Sequence, residues 1–417
     1  MNRTIALCLT MSMLLSCQYA RHTQEPPQAF SRQPDFRALG IDSARMDRID
    51  ALLQDYVDKG ILPHALTFVA KNAQVLHNKA FGWKDVEKRI PLGEDDIFRM
   101  YSQTKAITTV ALMTLFEQGK FQLDDPVSAY IPEMTDRVWV EASAPGDLRT
   151  RAAASPVLIR HVLSHTSGIT GPRPVPGMPG VEYETLEAYV KDLVKHPLAY
   201  DPGSGWNYHP SSDVWAYLVE YFSGKPLRDY VREAVLEPLG IRDMDYYYPA
   251  ETAERFVTMY REKDGQTEPV EMWSGRYPFD NNQSYASGGT GLNGTIEGYA
   301  RFCQMIANGG VFNHRRILGR RTLEIMAKDQ VSHPGGGEAA FRFGLGFQIY
   351  PGESPSWETL EGSSPMVSPG ALSWGGMANT DYLIDPSEGL IILLYTNRVP
   401  DTKVWEKFLN TVYQILE

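Results

Sequence analysis

The sequence predicts an α/β (α+β) protein. An antiparallel sheet, flanked by helices and built from both chain ends, carries a large, mostly helical inserted domain. Three observations predict it. Strand-like runs cluster at 65–71 and 74–81, and again at 343–350, 380–384 and 390–396. Each set is too small to stand alone, so the two must share one sheet. Amphipathic helical patterns bracket them: Met46, Ile49, Leu52, Leu53 and Tyr56 near the start, and 405–416 near the end. Helices on either face of the sheet give a three-layer domain. The expected division is 41–95 with 336–417 as the sheet domain and 96–335 as the helical domain, with a cleft between them.

Taken in order, the chain opens with Arg3 and an apolar run at 5–15, too short to remain as a bilayer span. Residues 1–17 therefore read as a secretory signal. Leu14-Leu15-Ser16-Cys17 fits a bacterial lipobox, in which Cys17 receives a diacylglycerol and holds the protein on the periplasmic face of a membrane. Soluble periplasmic export is the alternative. Residues 18–40 are polar and proline-containing and read as a tether. Asp42 or Ser43 then caps the first helix. Asn72-Ala73 turns between the first two strands. Ala106, Ile107, Val110, Ala111, Leu112, Met113, Leu115 and Phe116 surround the next helix on nearly every side, so it should be buried, and Gly119 stops it. Near the other end, Asp385-Pro386-Ser387-Glu388-Gly389 turns between the last two strands.

Composition narrows the partners. The 40 Lys and Arg against 51 Asp and Glu give a net charge of −11, which argues against nucleic acid. Of the 3 cysteines, Cys8 leaves with the signal and Cys17 is acylated. Cys303 alone remains, inside the helical pattern 298–306, so no intrachain disulfide is expected in an oxidising compartment.

Ser102 and Lys105 carry the chemistry. They stand three residues apart at the head of the apolar helix, where one turn brings an amine onto the same face as a hydroxyl. A serine needs a base to take its proton, and burial disfavours the charged form of an amine. The helix N-terminus adds N–H groups that favour negative charge on a bound acyl oxygen. Ser-x-x-Lys by itself also fits an N-cap followed by a solvated lysine.

Phe98, Tyr101-Ser102-Gln103-Thr104-Lys105 and Phe116-Glu117-Gln118-Gly119-Lys120-Phe121-Gln122-Leu123-Asp124-Asp125-Pro126-Val127 resemble the serine β-lactamase and penicillin-binding-protein-like hydrolases, nearest the class C β-lactamase and family VIII esterase branch. Ile159-Arg160-His161-Val162-Leu163-Ser164-His165-Thr166-Ser167-Gly168, Pro202-Gly203-Ser204-Gly205-Trp206-Asn207-Tyr208, Glu237-Pro238-Leu239-Gly240-Ile241 and Trp374-Gly375-Gly376 agree, in the expected order across roughly 40–415. The resemblance implies a β-lactamase/transpeptidase-like fold. It makes Ser102 the nucleophile, Lys105 its proton acceptor, and Tyr208 the second-motif phenol that shuttles protons. Tyr208 follows a Pro-Gly-Ser-Gly loop and precedes Pro210, a rigid turn that can aim a phenol into a cleft. Trp374-Gly375-Gly376 stands at the third motif, and the N–H of Met377 would pair with that of Ser102 as an oxyanion hole. Two glycines also mark an ordinary bulged edge strand.

Two departures bear on substrate. Tyr208-His209-Pro210 lacks the asparagine of Tyr-x-Asn, and Trp374 replaces a lysine whose cation pairs with a substrate carboxylate. An indole has one donor and no charge. Both changes point to a neutral small-molecule ester or amide cleaved through an acyl-enzyme, carboxylesterase-like. The alternatives are a β-lactamase or D-alanyl-D-alanine carboxypeptidase, and a non-catalytic ligand-binding lipoprotein of the same fold. No cofactor and no metal are expected. Gly289-Thr290-Gly291-Leu292-Asn293-Gly294 spells G-x-G-x-x-G, but no apolar strand precedes it and no acid lies between Glu297 and Glu324, so it reads as a loop capping the next helix. His161 and His165 are i, i+4 neighbours without the glutamate of H-E-x-x-H and read as a structural pair. Tyr246, Tyr247, Tyr248 and Trp273 either line the cleft or pack the helical part.

Overall fold

The computed structural model describes residues 26–140, 149–170, 183–208, 210–270, 279, 285–331, 342–351 and 364–417. Nine strands form one antiparallel sheet. They are β1 (His64–Lys71), β2 (Gln74–His77), β3 (Ala80–Asp85), β4 (Ile90–Pro91), β5 (Arg342–Phe343), β6 (Gln348–Ile349), β7 (Leu372–Gly376), β8 (Thr380–Asp385) and β9 (Leu390–Tyr395). Their order is β5-β6-β7-β8-β9-β1-β3-β4, with β2 paired to β1. The joint between the chain ends is β1 against β9, from Leu66 opposite Tyr395 to Lys71 opposite Leu390.

The period of two is visible in what each residue touches. Ala65 and Val69 of β1, with Leu390, Ile392 and Leu394 of β9, face a core closed by α1 (Asp47–Asp58) and α9 (Val404–Tyr413). Leu66, Phe68 and Ala70, with Ile391, Leu393 and Tyr395, face the opposite core. α7 (Ile296–Ala307) covers that second face through Tyr299, Phe302 and the fully buried thiol Cys303. The sheet is therefore buried on both sides, and every residue of β9 is apolar or aromatic and buried.

Beyond α7 lies the segment that carries the remaining helices: α2 (Thr104–Glu117), α3 (Ile159–Leu163), α4 (Leu186–Leu193), α5 (Ser211–Ser223), α6 (Leu227–Val231) and α8 (Arg320–Met326). Every residue of α2 from Thr104 to Leu115 is buried, as its all-round apolar pattern requires. The segment is not purely helical. Phe98–Arg99, Asn293–Gly294 and Met244–Asp245 form a three-stranded sheet that ties the start of α2 to the chain entering α7.

Several expected elements differ in detail. The run 74–81 is two strands, because the chain turns at Asn78-Lys79 between β2 and β3. The run 343–350 is also two, because Gly346 takes φ +82° and its N–H bonds Leu163 O at 3.2 Å, drawing the chain off the sheet. Asp42 caps a 3₁₀ turn, Ser43–Arg45, by accepting from Ala44 N at 3.0 Å, and α1 starts after it. Asn72 and Ala73 both have positive φ, as a two-residue hairpin loop demands. Cys17, the signal and residues 18–25 lie outside the described residues. The rest of the expected tether is docked: Phe30 packs on Phe68 and Phe312 with ring centroids 4.9 and 5.3 Å apart, and Arg32 pairs with Glu297. An aromatic ring among the polar residues decides that. No helix among the described residues is long and apolar enough to cross a membrane.

Phe408 of α9 is fully buried against the sheet. Replacing it with alanine removes a ring from a packed core, and chemical denaturation should register a loss of about 3–5 kcal/mol.

Candidate active site

Ser102 sits in a 3₁₀ turn, Tyr101–Gln103, that leads into α2. The turn is held in an unusual backbone conformation, with Tyr101 at φ +45°. Neighbours from three directions fix it. The Tyr101 hydroxyl bonds Met259 Sδ at 3.3 Å. The Tyr395 hydroxyl of β9 donates to Gln103 Oε1 at 2.7 Å, and the Tyr299 hydroxyl of α7 donates to Gln103 O at 3.0 Å. Leu292 N–H donates to Thr104 Oγ1 at 3.1 Å.

One turn further on, Lys105 is 6% exposed and its Nζ lies 3.0 Å from Ser102 Oγ. The same nitrogen is 2.9 Å from Gly289 O, and it stands 4.7 Å from the centre of the Tyr208 ring. Among the described residues no carboxylate forms an ion pair with Lys105. A carbonyl, a hydroxyl and an aromatic face leave its amine oriented towards the serine without a fixed counter-charge.

The carbonyl that holds the lysine is itself held. Asp213, in the first turn of α5, accepts from Ser287 Oγ at 2.9 Å and from Gly288 N–H at 3.0 Å. Thr108 Oγ1 of α2 donates to Gly288 O at 3.0 Å. The loop can approach so closely because residue 289 is glycine: a Cβ there would lie 2.4 Å from Ser212 Oγ. In sequence this glycine-rich stretch reads as a loop capping the next helix. It does lead into one, since Thr295 Oγ1 accepts from Gly298 N at the start of α7. Its role beside Lys105, and that of Asp213, went unseen, because no spacing rule ties residues 184 positions apart.

Tyr208 reaches the site from the loop before α5. His165, at φ +60°, packs under that loop, with its ring 4.9 Å from Tyr208, 5.3 Å from Trp215 and 5.5 Å from Phe343. Asn207 N–H donates to His165 O at 3.0 Å. The His161 ring instead lies at the helix end, with Nδ1 accepting from Leu158 N at 3.2 Å. Among the described residues no group of three or more His, Cys, Asp and Glu could hold a metal ion.

The third wall is the end of β7. β6 pairs only with Leu372 and Ser373, so among the described residues Trp374, Gly375 and Gly376 have a strand on one side only. Trp374 Nε1 donates to the Tyr208 hydroxyl at 3.2 Å, and its ring packs on Tyr208 and Phe343. The indole that replaces a cation therefore orients the phenol. Gly376 lets the strand press on the turn that carries Ser102, since a Cβ would lie 2.3 Å from Met100 O and 2.2 Å from Thr380 Oγ1. The N–H groups of Ser102 and Met377 donate to no main-chain oxygen among the described residues. The Met377 side chain is 44% exposed.

Ser102, Lys105, Tyr208, Trp374, Gly375, Gly376 and Met377 all line one cavity of about 680 Å³. A larger cavity of about 950 Å³, beside Lys84, Arg99 and Phe256, contains none of them. The aromatics singled out from the sequence are elsewhere: Tyr246 and Tyr248 are buried in the helical part, Tyr247 lines a separate groove, and Trp273, like His209, lies outside the described residues. Tyr189 and Trp405 line the cavity instead, brought there by folding alone.

The protein-family model described as Beta-lactamase matches residues 49–407. Protein Rv1367c of Mycobacterium tuberculosis (strain ATCC 25618 / H37Rv) is 32% identical, over 86% of this chain and 92% of that protein. Esterase EstB of Burkholderia gladioli is 30% identical, over 87% of this chain and 93% of its own length. Among solved structures, EstCE1, described as a hydrolase with promiscuous acyltransferase activity, superposes with a TM-score of 0.73 at 24% identity, covering 89% of this chain and 99% of that one. That likeness speaks for the fold.

Gly376→Ala forces β7 away from Met100, and thermal unfolding should show a destabilisation of about 1–3 kcal/mol from the clash.

Proposed function

This chain belongs to the beta-lactamase family of serine hydrolases, and we propose that it cleaves a carboxylic ester through an acyl-enzyme on Ser102. The observation that carries the reading is the 3.0 Å contact of Lys105 Nζ with Ser102 Oγ inside a cavity that Tyr208 also enters. In the proposed sequence the Lys105 amine takes the Ser102 proton as Oγ attacks the carbonyl carbon. The oxyanion is received by the N–H groups of Ser102 and Met377. Tyr208 passes a proton to the leaving oxygen as its bond to carbon breaks, releasing an alcohol and leaving the acyl group on Oγ. Water then attacks the ester, giving up its proton through the same phenol and amine. Oγ leaves with a proton and the acid departs.

Substrate class follows from the third wall. The indole of Trp374 offers no cation to a carboxylate beside the scissile bond, and its one N–H is spent on Tyr208. This favours esters over β-lactams and peptide C-termini. The similarity to esterase EstB supports the same preference. The lipobox at Cys17 supports export and lipid anchoring on the periplasmic face of a membrane, which globomycin-sensitive processing and palmitate labelling would test.

Ser102→Ala should lower hydrolysis of 4-nitrophenyl butyrate by at least ~10³-fold and abolish labelling by a fluorophosphonate; undiminished turnover removes the dyad from the mechanism. Nitrocefin turnover faster than ester turnover would reassign the chain to the β-lactamases. Trp374→Phe keeps an aromatic side chain, though a smaller one, and deletes the donor to Tyr208, and steady-state kinetics should show kcat reduced by ~10-fold with KM little changed.

A further inference from the structure

The cavity around Ser102 continues past the free edge of β7 to the other face of the sheet. Trp374 and its ladder partner Tyr382 contribute to the core on the α7 side. Ser373 and Gly375 alternate with Trp374, and Leu383, the partner of Ser373, belongs to the core under α1 and α9. Gln348, Ser373, Gly375, Asp381 and Trp405 line this rear compartment of the same cavity.

Asp381 is the group there without a match. It pairs with Gly375 across the ladder, and its carboxyl lies over that glycine: a Cβ on Gly375 would stand 2.1 Å from Asp381 Oδ1. Among the described residues no N–H or O–H donates to the carboxyl and no cation pairs with it. The charges that reach it are those of Asp401 and Glu406, both acidic, and burial with their repulsion pushes the carboxyl well above the usual range. A partly buried acid that faces the cavity without a donor or a cation is costly in its charged form unless something cationic arrives. The indole of Trp405, at the start of α9 and 7% exposed, lines the same cavity and supplies an aromatic surface, which cations favour.

We propose that this rear compartment is a cation subsite, with Asp381 as counter-ion and Trp405 as its aromatic wall, and that the preferred substrates are esters bearing an ammonium group. The inference rests on the hydrolase reading above and names its substrate class. The absence of a cation at Trp374 keeps carboxylates away from the scissile bond, while Asp381 selects positive charge at the far end of the cavity. Recognition is by charge and shape, so a quaternary ammonium serves as well as a primary one.

The test compares two isosteric esters, 4-nitrophenyl 5-(trimethylammonio)pentanoate and 4-nitrophenyl 6,6-dimethylheptanoate. The full mature protein should prefer the cationic ester by ~10-fold or more in kcat/KM, the factor that about 1.4 kcal/mol supplies. Asp381→Asn should bring the ratio towards one, and Asp381→Glu should keep most of it. Tetramethylammonium chloride should inhibit hydrolysis of the neutral ester by the unaltered protein more than sodium chloride at equal ionic strength, a measurement that needs no variant to fold. Equal turnover of the two esters, a ratio untouched by Asp381→Asn, or identical effects of the two salts overturns the cation subsite and leaves the hydrolase reading standing. If neither ester is turned over, the hydrolase reading falls and this inference with it.

Discussion

The close approach of two backbones, at Gly376 and Met100, is the constraint on which the site depends. Two segments 276 positions apart in sequence come near enough that a single methyl group would lie 2.3 Å from a carbonyl oxygen. That contact sets the end of β7 beside the turn carrying Ser102, so that Met377 and Ser102 border the same cavity. The sheet makes it possible. β7 and β8 are fixed by a full antiparallel register, and Thr380, opposite Gly376 in that register, donates to the same Met100 oxygen at 3.3 Å. The strain at Tyr101 is sustained by the bonds on Gln103 from β9 and α7.

The lysine depends on a second arrangement, independent of the first. Its partners are a backbone carbonyl and an aromatic face, where a surface lysine would have a carboxylate or water. Asp213 acts one step removed, gripping the loop that presents Gly289 O. Through its bonds to a serine hydroxyl and an N–H, this carboxylate acts on the lysine by way of the loop's geometry. The chain of support from α5 to loop to lysine to serine is thus built from polar groups that are mutually satisfied.

Much of this was legible in the residue order. The short, largely apolar runs of β1 and β9 and the unbroken apolar surround of α2 mark those elements in the residue order, because burial on both faces leaves few polar positions to interrupt them. Errors fell where glycine or a short turn interrupts a strand, at Asn78-Lys79 and Gly346, since local apolar content there resembles that of a continuous strand. The segment after residue 25 reads as a tether, yet it docks: one phenylalanine in a polar stretch is enough when a matching hollow exists, and a hollow has no sequence signature.

By itself the sequence determined the fold class and the sheet shared by the two chain ends, and it named Ser102, Lys105, Tyr208 and Trp374 as candidates, because helical spacing and motif order are local or collinear properties. Only the tertiary structure decided what those residues face. That the Trp374 indole holds the Tyr208 phenol, that Gly289 receives the lysine, and that Asp381 and Trp405 share a cavity with Ser102 are consequences of strand register and chain return. Such contacts join positions hundreds of residues apart, and their distances depend on how whole layers pack rather than on any neighbour in the chain.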